Sequence, residues 1–181
     1  MSGNLTPTSA DARTPGGGGS ARGHQWNSME GKLMTAQIGQ LVRELLAGDL
    51  NAYPERIKAL DEPGWNAFGE IVGAAFYRAV GQRLSPQTDV PAFVAAAAAP
   101  YAQSPVAIDP PAAEALVRSV LGDDASVGEV LEQLDEPDLA RIELVLLRKL
   151  IEDGNGTITV DALVTSAQDE AAEFSGEAGV S

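Results

Sequence analysis

The chain has no cysteine, which excludes a disulfide framework, thiolate-held zinc or iron–sulfur sites, and a thiol nucleophile. Its single histidine, His24, lies in a polar N-terminal stretch. The rest of the chain therefore cannot build a histidine-dependent triad or the Glu-x-x-His half of a carboxylate-bridged di-metal bundle. There is no Gly-x-Ser-x-Gly elbow, no Gly-rich phosphate loop ending in Lys-Ser/Thr and no dinucleotide fingerprint, so no catalysis and no cofactor are expected. Apolar runs are short: the longest, residues 91–102, is mostly alanine and interrupted by proline, far from the roughly 18 residues a membrane span needs. A basic segment followed by an apolar one, as in a secretory signal, is also missing, and cytoplasmic residence is the expectation. Arginine outnumbers lysine and alanine is abundant, which points to a GC-rich bacterial coding sequence.

Basic residues are few as well, 12 against 26 acidic ones, for a formal net charge of -14. The excess is concentrated: residues 109–181 hold seventeen acids and four bases, a net -13, whereas residues 29–84 are nearly neutral. Such a surface repels nucleic acid and anionic membrane and attracts a basic protein partner or cations, besides keeping the protein in solution.

Hydrophobic residues make up 44% of the chain, enough to offset ordering entropy once the polar N-terminus is set aside. Residues 1–28 are rich in Ser, Thr, Pro and Gly, with Gly16-Gly17-Gly18-Gly19-Ser20 as a flexible-linker composition, and are expected to lack fixed structure. They read as a dispensable extension ahead of a start at Met29 or Met34, or as a tether presenting Trp26 as a docking motif.

From about residue 33 a helical period carries Leu33, Met34, Ile38, Leu41, Val42, Leu45 and Leu46 on one face and stops at Gly48-Asp49. A short helix near 52–61 follows, and then the clearest one, about 63–84. Its stripe is Trp65, Phe68, Val72, Phe76, Ala79, Val80 and Leu84, with Ile71 and Ala75 at the edge. Gly69 and Gly73 interrupt that helix and are read as points of close approach for a neighbour. A further helix spans about 89–101.

The second half repeats this plan. Leu60-Asp61-Glu62-Pro63 recurs as Leu134-Asp135-Glu136-Pro137, Leu41-Val42-Arg43 as Leu116-Val117-Arg118, and Gly48-Asp49 as Gly122-Asp123. Trp65, Phe68, Val72 and Phe76 fall opposite Leu139, Ile142, Leu146 and Leu150. The same punctuation in the same order predicts an internal duplication. The fold expected is all-α: a helical bundle of about eight helices from two tandem four-helix repeats with pseudo-two-fold symmetry. Its parts are the tail 1–28, unit 1 at 29–108, the acidic unit 2 at 109–174 and a frayed C-terminus at 175–181.

One loop carries a motif. Asp153-Gly154-Asn155-Gly156-Thr157-Ile158-Thr159 resembles the middle of an EF-hand calcium loop, with Asp153, Asn155, Gly156 and Ile158 at the third, fifth, sixth and eighth positions. The resemblance implies a cation response with Asp153, Asn155 and Thr157 as candidate ligands. The two end positions, however, are Ile151 and Ala162, where the family has its first carboxylate and its bidentate Glu. A Gly/Asn-rich turn accounts for the same residues.

Acidic residues cluster at Asp123, Asp124, Glu129, Glu132, Asp135, Glu136 and Asp138, and from these Glu129, Glu132 and Asp138 are the candidate partner-binding residues. Asp61 and Asp135 read as helix caps, and Arg43 and Arg118 as partners of acids on a neighbouring helix. Two function classes remain: a non-catalytic interaction or regulatory protein docking a basic partner through its acidic second unit, and a ligand-binding module holding a cation or a small molecule between the repeats. Deleting residues 1–28 should shift the melting temperature by less than about 5 °C, read by thermal circular dichroism.

Overall fold

The computed structural model describes residues 20–123 and 128–177, the side chains of residues 20–28, 129, 131 and 172–177 excepted. Among these residues all regular structure is helical and no strand occurs. The α-helices are α1 (Ser20–Ala47), α2 (Tyr53–Ile57), α3 (Glu62–Arg83), α4 (Val90–Ala98), α5 (Pro110–Val120), α6 (Gly128–Leu131), α7 (Glu136–Asp153) and α8 (Val160–Glu177). Short 3-10 turns lie at Leu50–Ala52 and Ala99–Tyr101. No helix among the described residues is long and apolar enough to cross a membrane.

Helix starts are set by side-chain caps. Asp61, Asp89, Asp109 and Asp135 each accept a hydrogen bond from the backbone N–H three residues on, at 2.8–3.1 Å, and each of these helices has proline in its first turn. Thr159 does the same for α8, its hydroxyl accepting from Ala162 N–H at 3.2 Å. At the end of α5, Gly122 takes φ +84, its N–H bonds to Ser119 O and Asp123 N–H to Arg118 O, a Schellman closure that favours glycine at that position.

The core is one continuous cluster drawing on both halves of the chain. Its axis is α3, which packs against α1, α7, α8 and α5. The first and last described helices are paired across the molecule: α1 lies on α8, while α4 lies on α5 and α7. Because α3 is covered from several directions, its buried arc is wider than a single stripe. Ile71 and Ala75, expected at the edge, are fully buried with Phe68, Val72, Phe76, Ala79 and Val80, whereas Trp65 and Leu84 are only partly covered.

Other boundaries differ from the sequence expectation. Helix α1 begins at Ser20, so the last nine residues of the expected 1–28 tail are helical, and residues 1–19 lie outside the described residues. The Gly16–Gly19 run is the last strong helix breaker ahead of it, and extension of a formed helix costs little per residue. Among the described side chains of α1 the first buried one is Ile38, and Leu33, placed on the core face by its period, is 60% exposed. Helix α8 continues to Glu177, past the expected end at 174, and residues 178–181 lie outside the described residues.

Phe76→Ala and Leu150→Ala should each lower unfolding free energy by about 2–5 kcal/mol in urea titrations, since both side chains are about 1% exposed and truncation leaves a cavity.

Candidate functional site

The α3–α7 contact leaves an open groove of about 730 Å³, including space open to solvent, on its solvent side. Its walls follow from helical periodicity. On α3, Trp65, Asn66, Gly69 and Glu70 repeat at three- and four-residue steps, and on α7, Glu136, Leu139, Ala140 and Glu143 do the same. Gly69 does not bring another helix close: a β-carbon built there would meet nothing within 4 Å, so its missing side chain keeps the groove open. Gly73, one turn on, does have a neighbour, because the Glu143 carboxylate lies 3.6 Å from where its β-carbon would stand.

Trp65 forms the aromatic wall. Its indole N–H donates to Glu136 Oε2 at 2.7 Å, and its ring stacks on Phe68 at 5.6 Å between centroids. Phe68 in turn meets Tyr53 at 6.2 Å, whose hydroxyl donates to Pro137 O at 2.8 Å and ties α2 to the first turn of α7. Burial pushes the Tyr53 hydroxyl well above its ordinary range, so it remains a neutral donor.

Glu143 is the only charged-type side chain in the buried set among the described residues, at 8% exposure. It has no hydrogen-bond or ion-pair partner there, and burial raises its carboxyl from the ordinary 4.5 to about 8. The groove lining thus holds three carboxyl groups, Glu70, Glu136 and Glu143, and no basic side chain. Arg141, on the same helix, is turned to Asp138.

The residues singled out in the sequence lie elsewhere. Asp153, Asn155 and Thr157 form a tight turn: Asn155 has φ 45 and Gly156 φ 82, and Thr157 donates twice to Gly154 O, from its N–H and its hydroxyl. The Asp153 carboxylate is engaged by Lys149 and its carbonyl accepts from Arg83 at 2.7 Å, so two cationic side chains already sit at the position the EF-hand resemblance assigns to a ligand. No cluster of three His, Cys, Asp or Glu residues spaced to hold a metal ion occurs among the described residues.

Glu132 is exposed in the turn after α6, Asp138 is half-buried and ion-paired with Arg141, and Glu129 lies on α6 with its side chain outside the described set. Arg43 reaches α8, bonding Asp161 at 3.1 Å, Thr165 at 3.0 Å and Gln168 at 3.0 Å. Arg118 pairs instead with Glu114 and Asp123, in or just beyond its own helix, because the alanine-rich α4 packed on α5 offers it no acid.

The groove itself was not singled out in the sequence. The available signal was Glu143 standing among Ile142, Leu144, Val145 and Leu146 in the most apolar stretch of α7. No protein-family model matches the chain, and comparison with curated proteins and with solved structures finds no match.

A carboxyl group whose folded pKa is raised binds its proton in the folded state where the unfolded chain has lost it. Stability from this group is therefore highest below about 4.5, falls as pH rises toward about 8, and is flat above that. The slope is at most about 1.4 kcal/mol per pH unit. Glu143→Gln should match the wild type in acid and melt at higher temperature at the alkaline end of that window, read by thermal melts of both proteins across the range. Parallel pH profiles would show that Glu143 is not buried as described.

Proposed function

We propose that this is a non-catalytic, cytoplasmic interaction protein that docks a basic protein partner on its acidic second half, with the α3–α7 groove as the centre of that surface. The observation that carries the reading is the groove lining: three carboxyl groups, one of them buried and unpartnered, beside an aromatic wall and without a single basic side chain. Away from the groove, the second half adds Glu132, exposed in the turn after α6, Glu129 in the sequence of α6, and the partly exposed carboxylate of Asp138. An acidic field of this kind speeds encounter with a basic partner and fixes its orientation.

The architecture we propose is a duplication, units 29–108 and 109–174, giving about eight helices about a pseudo-two-fold axis. The pairing of helices supports it. Exchanging α1 with α5, α3 with α7 and α4 with α8 turns the α1–α8 contact into α4–α5, α3–α8 into α4–α7, α1–α3 into α5–α7, and leaves α3–α7 in place. The matched caps at Asp61 and Asp135 point the same way. On this reading the groove lies on the axis, and Gly69 is the counterpart of Glu143, so the two copies have diverged where the site is.

A ligand-binding module is the second reading, favoured by the groove's position between the two units, where a small organic cation would fit. The docking reading is tested with fluorescein-labelled octalysine. Reversing Glu129 and Glu132 to Lys should weaken binding by about tenfold or more beyond the matched reversal of Glu44 and Glu55, and added salt should mimic it. Equal losses in the two variants would reduce the acidity to a solubility feature.

A further inference from the structure

The geometry points to a more specific occupant: the α3–α7 groove receives the side chain of a lysine, its primary ammonium placed at Glu143 and its methylene stem along Leu139, Ala140 and Gly69. This rests on the docking reading above and names the group that docks.

Charge alone would admit any cation, and the arrangement narrows the choice. The carboxyl groups are not clustered as metal ligands. Glu136 and Glu143 stand seven residues apart on α7, about 10 Å along the helix axis, with Leu139 and Ala140 between them. An occupant must therefore have an apolar body and a charged tip. Trp65, fixed by Phe68 and Glu136, adds an aromatic surface of the kind that attracts cations.

The inner end favours lysine over arginine. Glu143 is 8% exposed at the inner end of the groove, so little of its carboxylate is open to an occupant, which suits a compact ammonium with three donors and poorly suits the broad planar guanidinium. In the free protein this end of the groove holds an acid with no partner, which burial disfavours in its charged form. An arriving ammonium supplies the missing counter-charge, so the carboxyl group ionises and its proton leaves to solvent. The titratable and charged groups on this side are Glu70 of α3 and Glu136 of α7, which line the groove with Glu143, and Tyr53 of α2, whose charged neighbours are Arg141, Asp138, Asp135 and Glu143.

The test uses the full chain and octalysine, octaarginine and 1,5-diaminopentane as probes. Glu143→Gln keeps the side-chain shape and Gly69→Leu fills the groove without changing charge. Each should weaken octalysine binding by about tenfold or more, while Glu55→Gln, which removes the same charge as Glu143→Gln from an exposed site outside the docking surface, should change it by less than about twofold. Gly69→Ala, which adds one methyl where nothing stands within 4 Å, should bind nearly as the wild type does and controls for folding.

Octaarginine should bind about tenfold more weakly than octalysine. Calorimetry in buffers of different ionisation enthalpy should show proton release on octalysine binding that disappears in Glu143→Gln. If Glu143→Gln behaves like Glu55→Gln while the Glu129/Glu132 reversal still weakens binding about tenfold, the lysine site is overturned and the docking reading stands. If the wild type fails to bind octalysine, both fall. Tighter binding of 1,5-diaminopentane than of octalysine would assign the groove to a small diamine and overturn the lysine.

Discussion

Everything in this fold depends on the burial of α3. A helix covered by α1, α5, α7 and α8 has to present apolar atoms over most of its circumference, and Phe68, Ile71, Val72, Ala75, Phe76, Ala79 and Val80 do so. At about 25 cal/mol per Å² of apolar surface removed from water, a helix of this kind is the main source of stability, and the helices around it are stabilised chiefly by their contact with it. Polar links are secondary: the α1–α8 pair Arg43–Asp161 and the α3–α8 pair Arg78–Glu170 are surface ion pairs, of the kind that contribute little individually.

The same demand explains the groove. Where α3 turns from its buried arc toward solvent it carries Asn66, Gly69 and Glu70, and α7 opposite it carries Glu136 and Glu143. Two glycines on α3 reduce the packing along this line. Gly69 leaves it open, and Gly73 accommodates a carboxylate that a larger residue would press against. A buried, unpartnered acid costs stability, and in natural proteins local costs of that kind tend to coincide with sites of function.

Much of the helix layout was legible in the sequence because it is written in local chemistry. Asp-x-Pro or Asp-Pro at a helix start is a capping signal that depends on a few neighbouring residues, and the four Asp caps sit where that signal places them. The breadth of the α3 arc was not legible, since it depends on how many helices arrive from distant parts of the chain. Neither was the groove: Glu143 looks like a solvent-facing acid until α3 is laid against it, and the EF-hand-like loop looked more promising than it is because Lys149 and Arg83 approach Asp153 only in three dimensions. Arg43 and Arg118 make the same point, each closing a Leu-Val-Arg tripeptide yet differing in partners because α8 offers Asp161 and α4 offers alanine.

The pairing of α1 with α8 sets the order in which this molecule can be completed. During synthesis, at about 5–20 residues per second, the buried face of α1 has α3 against it but lacks α8 until that helix has emerged, an interval on the order of ten seconds or more. Arg43, Thr35 and Gln168 close that seam across more than a hundred residues of chain. The fold therefore behaves as a clasp: α1 and α8 secure the middle, and a chain stopped before α8 leaves the buried face of α1, with Val42, Leu45 and Leu46, without one of the helices packed on it.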